Sequence, residues 1–265
     1  MYSKLQLLSK YINYWWNGSN NKGHGVHSPF VFDFITKVLN DKTDYPVYDK
    51  IELLREELKN DRRVLNIKDF GAGSRVDSSK QRKVSAIANS ALKPKKFGQL
   101  LFRMVRYFEP AVILELGTSL GVTTSYLAAG NSKANVITME GASEVAAVAK
   151  KNFGHAGLKN IRIVEGNFDE TLPSVLQNLD KIDFAFIDGN HRKLPTLEYF
   201  NQLKKKIHSG SVLIFDDIHW SKEMEEAWSQ LINDATVTLS IDLFFIGILF
   251  FKDDFLEKQH FSIRT

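Results

Sequence analysis

The chain has 265 residues, of which 43% are hydrophobic and 25% charged, so it can bury a large core. It has no cysteine, which excludes disulfides, thiolate metal ligands and cysteine nucleophiles. The formal net charge of +4 is unevenly spread, because residues 1–110 hold 20 Lys and Arg against 11 Asp and Glu. Such a basic region could meet nucleic acid, anionic lipid or an acidic substrate, but solvated surface helices are the commoner explanation.

The hydrophobicity pattern of the sequence indicates neither a membrane-spanning helix nor a signal peptide. No stretch approaches the roughly 20 apolar residues that a membrane-spanning helix needs, and the N-terminal sequence lacks the apolar run of a signal peptide. We therefore expect a cytoplasmic protein with no transmembrane segment.

The first ninety residues predict mainly helices. The apolar residues of 3–16 have helical spacing, and such a helix could cover the fold, a partner or a membrane surface, with the fold as the default. Ser28 and Pro29 predict a helix start, and residues 45–59 predict a further helix. His24 and His27 lie three residues apart without further ligand types, so the pattern is weak for a metal site and favours a loop over the active site.

Residues 62–74 contain a strand-like segment followed by a turn with two glycines. Asp69, Gly71 and Gly73 imitate a nucleotide-binding turn, but the strand before them alternates with polar residues instead of being apolar throughout. We interpret this turn as a loop, and we predict helices over residues 79–90 and 96–108 after it.

The stretch that organises the chain covers residues 111–130, AVILELGTSLGVTTSYLAAG. Its first part predicts a buried parallel strand, the segment from Gly117 to Gly121 a tight turn, and the remainder a helix. Glycine lets the backbone turn sharply and lets a ligand approach, while a helix N-terminus presents unpaired N–H groups. The pattern is typical of a cofactor-binding turn.

The next strand, over residues 135–139, ends on Glu140, where an acid can meet the hydroxyls of a ribose. The segment from Glu115 to Gly121, followed by Glu140, resembles the first two motifs of class I S-adenosylmethionine-dependent methyltransferases. The run ELGTSLGVTT is similar to the catechol and caffeoyl-CoA O-methyltransferase group. A structural turn without a ligand is the plain alternative.

Strands and helices alternate after Glu140, which predicts a parallel sheet. Residues 236–243 and 245–251 predict an antiparallel hairpin at one edge. We therefore expect an α/β, Rossmann-like fold with a seven-stranded, mostly parallel sheet and a C-terminal antiparallel hairpin. The resemblance divides the chain into an N-terminal helical accessory region, 1–93, and an S-adenosylmethionine-binding domain, 94–265.

The resemblance implies a set of residues around S-adenosylmethionine. Asn167 and its neighbour Phe168 would edge the adenine ring after the third strand of this domain. The residues expected to bind the cofactor are Glu115, Gly117, Thr118, Ser119, Gly121, Glu140, Gly141, Asn167, Phe168 and Asp188.

Three acids end two strands that we expect to be neighbours: Asp188, Asp216 and Asp217. Converging carboxylates repel one another unless a cation or proton neutralises them, and oxygen ligands suit Mg²⁺. In the family that the chain resembles, an acid and an Asp-Asn pair hold such a metal, and here Asp217 replaces the asparagine. The alternative is that Asp216 and Asp217 cap the helix that begins near Ser221.

Three side chains are candidates for the catalytic base. His191 follows Asp188 by three residues, where the similar family places its catalytic lysine, and histidine titrates near neutrality. His219 and Lys193 compete with it, and Asp188 is the candidate for contact with the substrate or the sulfonium.

The sequence thus predicts a methyltransferase that uses S-adenosylmethionine and acts on an oxygen atom of a small molecule. Mg²⁺ is a second cofactor if the three acids bind a metal. No Asn/Asp-Pro-Pro-Tyr motif of amino methyltransferases stands at residues 188–191. An aminopropyltransferase-like enzyme and a non-catalytic module that binds nucleic acid or a partner remain alternatives. We do not expect nucleic acid as substrate, and a homodimer stays open.

Overall fold

The computed structural model describes residues 1–19, 21–23, 26–67 and 81–264. The helices of these residues are α1 Lys4–Asn17, α2 Pro29–Phe34, α3 Pro46–Asn60, α4 Val84–Ala91, α5 Lys95–Phe108, α6 Val122–Gly130, α7 Ser143–His155, α8 Phe168–Gln177, α9 Lys193–Leu203 and α10 Lys222–Asn233. A π-helical segment, Ile35–Leu39, continues α2, and a 3₁₀ turn, Lys204–Lys206, continues α9.

The strands of the same residues are β1 Val64–Asn66, β2 Gln81–Lys83, β3 Val112–Leu116, β4 Asn135–Glu140, β5 Ile161–Glu165, β6 Phe184–Ile187, β7 Val212–Asp216, β8 Leu239–Asp242, β9 Ile246–Phe250 and β10 Gln259–Ser262. The chain forms two compact units, residues 42–177 and residues 1–41 with 178–265. The predicted division after residue 93 rests on the reach of the family resemblance and stays a prediction.

In the unit of residues 42–177, β3, β4 and β5 form parallel neighbours with β4 between the other two. β1 and β2 make a separate antiparallel pair. The strand-like segment before the turn with Gly71 and Gly73 is therefore confirmed as a strand. The helix predicted over residues 79–90 begins only at Val84, because residues 81–83 pair with β1 instead. The turn with Asp69, Gly71 and Gly73 lies outside the described residues, as does His24.

In the unit of residues 1–41 and 178–265, the strand order is β10-β8-β9-β7-β6. β6 and β7 are parallel, and β8 and β9 form the predicted antiparallel hairpin. The hairpin is not the edge, because β10 pairs with β8 in parallel. Apart from the small β1–β2 sheet, the described residues therefore hold eight strands, and the predicted number of seven was wrong.

The α/β architecture with mostly parallel strands is confirmed. Its strands bury apolar side chains, and β6, β7 and β9 are buried over their whole length. Among the described residues, no helix combines the length and the apolar character that crossing a bilayer requires.

Helix α6, which follows the cofactor-type turn, is held from two sides inside its unit. Tyr126 on α6 is fully buried and its hydroxyl donates to Glu52 of α3 at 2.7 Å. Arg55 in turn donates to both carboxylate oxygens of Glu52, at 3.1 and 3.0 Å. Gly98 of α5 leaves the space for this ring, because a Cβ there would lie 2.5 Å from Cδ2 of Tyr126.

A pair of helical glycines tests this packing. We expect Gly98→Ala to lower the free energy of unfolding by about 1–3 kcal/mol, because the new methyl group overlaps a ring that cannot move freely. Gly154→Ala on α7 is the control: its Cβ would meet nothing within 4 Å, and we expect a gain of up to about 1 kcal/mol. Urea unfolding of both variants measures the difference, and equal effects would contradict this packing.

Candidate functional site

The turn between β3 and α6 has an unusual backbone. Gly117 and Gly121 have φ of 110° and 83°, and Ser119 between them has φ of 48°. These are left-handed conformations, which glycine adopts without the clash of a Cβ. At Gly121 space matters too, because a Cβ would lie 2.6 Å from Cε1 of Phe153. The glycines of the motif are therefore required by the shape of the turn.

A buried polar network lies against this turn. The carboxylate of Glu115 is fully buried and accepts hydrogen bonds from the hydroxyls of Thr124, at 2.5 Å, and Thr138, at 2.6 Å. The Thr138 hydroxyl shares a further bond of 2.6 Å with Thr118, in which Thr118 must donate because the Thr138 proton is already used. Glu115 and Thr118, both expected at the cofactor, thus hold the turn from inside.

Glu140, at the end of β4, joins the turn directly. One carboxylate oxygen accepts from the backbone N–H of Ser119 at 2.8 Å, and the other accepts from Ala142 at 2.9 Å. A carboxylate offers about four lone-pair positions, so these two bonds leave it able to accept more. The structure therefore brings Glu140 to Ser119 of the turn, while the contact of Glu140, Ser119 and Gly141 with a cofactor stays a prediction.

Asn167 precedes α8 and Phe168 is its first residue, after β5. The Asn167 side-chain oxygen accepts from the N–H of Asp169 at 3.2 Å, and its carbonyl accepts from Thr171 at 2.9 Å. The preceding Gly166 has φ of 130° and donates to the carbonyl of Glu140 at 2.9 Å. Asn167 and Phe168 thus follow a glycine that is bonded to Glu140, and their contact with an adenine ring stays a prediction.

In the other unit, three predicted site residues converge. Asp188 follows β6, Asp216 ends the parallel neighbour β7, and His191 lies three residues after Asp188. Each offers a ligand atom, and these atoms lie within 4.8 Å of one another. Nε2 of His191 is 3.5 Å from Oδ1 of Asp188. Asn190, with φ of 55°, makes the turn between these two residues.

The donor set of this group differs from the oxygen-only set that the sequence predicts. Asp216 is buried, and a second carboxylate lies within a few ångströms of it. Keeping both groups ionised is unfavourable unless they share a cation or a proton. The set of two carboxylates and one imidazole fits a divalent ion, and the nitrogen ligand favours a transition metal such as Mn²⁺ or Zn²⁺ over Mg²⁺.

Asp217 is not in this group of three. Its φ is 53°, and its N–H donates to the carbonyl of Phe245 at 2.7 Å. It lines a shallow cavity with five other residues, namely Leu7, His219, Trp220, Phe244 and Phe245. The helix cap that the sequence offered as an alternative belongs to Ser221, whose hydroxyl accepts from the N–H of Met224 at 3.2 Å.

His219, the second candidate base, lies between two carboxylates. Its Nε2 is 2.8 Å from Asp242 and its Nδ1 is 3.1 Å from Glu225. Burial alone would lower the pKa of His219, but the hydrogen bonds and charges of Asp242 and Glu225 raise it above 6.5. Both ring nitrogens are held by acids, so this geometry suits a cation that joins α10 to β8 better than it suits a catalytic base.

The third candidate base, Lys193, pairs with Glu226 at 2.8 Å. His191 is then the candidate base that lies within the acid group itself. Its role, like that of Asp188, stays a prediction.

Sequence reasoning missed how α1 is attached. Glu225 accepts from the hydroxyl of Tyr2 at 2.7 Å and from Nζ of Lys10 at 2.9 Å, and the N–H of Tyr2 donates to the carbonyl of Trp220 at 3.1 Å. More than 200 residues separate these partners, and no sequence pattern links them. The helix thus covers the loop after β7, as its default interpretation predicts.

Comparisons with known proteins show what the chain is similar to. Residues 114–218 match a family described as a methyltransferase domain. The chain is 33% identical over 126 residues to the catechol O-methyltransferase of Niastella koreensis, covering 46% of this chain and 55% of that protein. The chain spans about half the length of the curated relatives it matches.

Solved structures share the fold. The methyltransferase PaMTH1 of Podospora anserina, solved with SAH bound, has a TM-score of 0.61 at 14% identity, covering 85% of this chain and 97% of that one. An O-methyltransferase from Bacillus cereus in complex with SAH has a TM-score of 0.56 at 19% identity, covering 83% and 97%. At such identities the likeness establishes the fold.

The environment of His219 predicts a pH-dependent stability. We expect His219→Gln to lower the free energy of unfolding by about 2–4 kcal/mol at pH 6, because it removes the cation between Asp242 and Glu225. A raised pKa means that this stabilisation is complete below the unfolded value of about 6.5 and is lost as pH rises through the folded value. The penalty should therefore shrink by pH 9.

His208→Gln is the control, since His208 also pairs with an acid, Asp183 at 2.8 Å, but is more exposed. We expect it to cost at most about 1 kcal/mol. Urea unfolding at pH 6, 7.5 and 9 measures both variants. Equal costs, or a His219→Gln penalty that grows with pH, would contradict the assignment.

Proposed function

We propose that this chain is a class I S-adenosylmethionine-dependent methyltransferase that methylates an oxygen atom of a small-molecule acceptor; its fold and the family match of residues 114–218 support this proposal. The observation that carries the proposal is Glu140, whose carboxylate is bonded to the left-handed turn at Ser119 within the matched segment. A turn of this shape next to an acid fits a nucleoside with a ribose diol. The O-methyltransferases among the relatives support oxygen as the acceptor atom.

The residues of the turn fit S-adenosylmethionine. Gly117 and Gly121 let the turn adopt its left-handed backbone, and Glu140 can accept bonds from the two ribose hydroxyls. We assign the adenine edge to Asn167 and Phe168. When bound, the cofactor supplies a methyl group on a positively charged sulfur.

The acceptor hydroxyl must lose its proton to become a good nucleophile. We assign this task to the group of Asp188, His191 and Asp216, which would hold a divalent cation that lowers the pKa of a bound hydroxyl. The imidazole in the set favours Mn²⁺ or a similar ion over Mg²⁺. Without a metal, His191 next to Asp188 is the group that would accept the proton.

Cofactor binding gives the first test. We expect SAH, measured by isothermal titration calorimetry, to bind the full chain, and we expect Glu140→Gln to weaken binding at least tenfold, about 1.4 kcal/mol. Glutamine keeps the shape of the side chain but offers only one acceptor oxygen.

Glu165→Gln is the matched control. Glu165 ends the next strand, in register with Glu140, and pairs with Lys150 at 2.7 Å at the surface. We expect its binding constant to stay within about twofold of the wild type. No SAH binding by the wild type, or equal losses in the two variants, would contradict the cofactor site.

Metal binding gives the second test. With SAH present, we expect Mn²⁺ to bind more tightly than Mg²⁺, and Asp216→Asn to weaken Mn²⁺ at least tenfold. Asp217→Asn is the control, because it removes the neighbouring carboxylate that lies outside the group of three. Electron paramagnetic resonance of free Mn²⁺ measures both. A larger loss in Asp217→Asn, or no Mn²⁺ binding by the wild type, would contradict the metal assignment.

A further inference from the structure

Helix α1 exposes a row of large apolar side chains. At 100° per residue, these side chains fall within an arc of about 100° on one side of the helix. They are Leu5, exposed to 79%, Leu8 to 54%, Ile12 to 55%, Trp15 to 49% and Trp16 to 75%. Scattered surface hydrophobics are ordinary, but a contiguous row with two tryptophans marks an interaction surface. We call these five residues the α1 stripe.

A different face of α1 packs against the protein. The α1 stripe is therefore not the face by which α1 joins the core. Tyr11 and Tyr14 contact the ring of Phe244, with centroids 5.0 and 5.3 Å apart. The Tyr14 hydroxyl also donates to the carbonyl of Ile263. Together with the Lys10–Glu225 pair, these contacts fix the helix, so that the stripe is presented in one orientation.

Positive charge lies at both ends of the α1 stripe. Residues 1–32 include three lysines and no acid. Lys4 stands at the start of the helix beside the stripe. At its other end the Arg264 guanidinium lies over the ring of Trp15, 4.8 Å from the centroid, and donates to the carbonyl of Trp16 at 3.0 Å. Polar residues on the remaining exposed side are uncharged: Gln6, Ser9, Asn13 and Asn17.

This charge pattern selects one occupant. A second copy of the chain that packed stripe against stripe in antiparallel fashion would bring Lys4 of each copy to Arg264 of the other. A parallel arrangement would bring like residues together, so both arrangements place like charges opposite each other. An anionic membrane surface accepts lysine and arginine at its headgroups, tryptophan at its interface, and leucine or isoleucine below them.

We propose that the α1 stripe binds the chain peripherally to an anionic membrane surface. The helix lies in the plane of the interface, with the stripe toward the acyl chains and with Lys4 and Arg264 at the headgroups. This proposal is independent of the methyl transfer proposed above, because it concerns neither the turn at Gly117–Gly121 nor the group of Asp188, His191 and Asp216.

Sedimentation of the full chain with vesicles tests the proposal. We expect binding to vesicles of phosphatidylcholine and phosphatidylserine at 7:3, weak binding to phosphatidylcholine alone, and a decline as salt is raised. The double variant Leu5→Gln with Trp16→Gln should reduce the bound fraction at least tenfold. Leu256→Gln is the matched control, because Leu256 is fully exposed but lies outside α1.

Far-ultraviolet circular dichroism confirms that the variants are folded, and a blue shift of tryptophan fluorescence on vesicle addition gives a second readout in the wild type. Equal binding to neutral and anionic vesicles, no binding to either, or equal loss in Leu256→Gln would overturn the proposal. So would light scattering that shows a wild-type dimer and a monomeric Leu5→Gln, Trp16→Gln variant, since the stripe would then bind a second copy.

Discussion

The turn that follows β3 depends on one buried carboxylate. Glu115 has no exposure to solvent, and burying an ionised or polar group without hydrogen bonds would be costly. Two threonine hydroxyls, from α6 and from β4, donate to it and so connect the helix, the strand and the turn. The left-handed residues of the turn keep their conformation because this network and Glu140 hold the backbone on both sides.

The second constraint is electrostatic. Asp188 and Asp216 end neighbouring parallel strands, and the topology alone places their carboxylates near each other. Their repulsion is relieved when a proton or a divalent cation is shared between them. His219 likewise lies between the carboxylates of Asp242 and Glu225, so it joins β8 to α10. Glu225 also accepts from Lys10, which joins α10 to the N-terminal helix α1.

Much of this arrangement follows from the sequence. The alternation of apolar strands with helices, the glycines at 117 and 121, and the acids at the strand ends are local patterns with direct structural meaning, and they predicted the fold class and most elements. These local patterns do not show which strands pair when they are far apart in the sequence. β10 was missed because QHFS has neither an apolar run nor a clear alternation, and it becomes a strand only by pairing with β8.

The same limit applies to the candidate site. The sequence predicted Asp217 as the third member beside Asp188 and Asp216, and it could not show that His191 lies there instead, because this depends on the left-handed backbone at Asn190 and at Asp217. Nor could it show that His219 lies between two acids that follow it by 6 and 23 residues. Spacing along the chain says which strand end carries a side chain, but the loop conformation decides what the side chain meets.

We propose that this chain moves a methyl group from S-adenosylmethionine to oxygen. The most direct measurement incubates the purified chain with radiolabelled cofactor, Mn²⁺ and hydroxylated small molecules, followed by mass spectrometry of any labelled product. We expect an O-methyl product that Glu140→Gln forms at least tenfold more slowly when the cofactor is below saturation. Label on nitrogen or in nucleic acid, or no transfer by a chain that binds SAH and Mn²⁺, would contradict it.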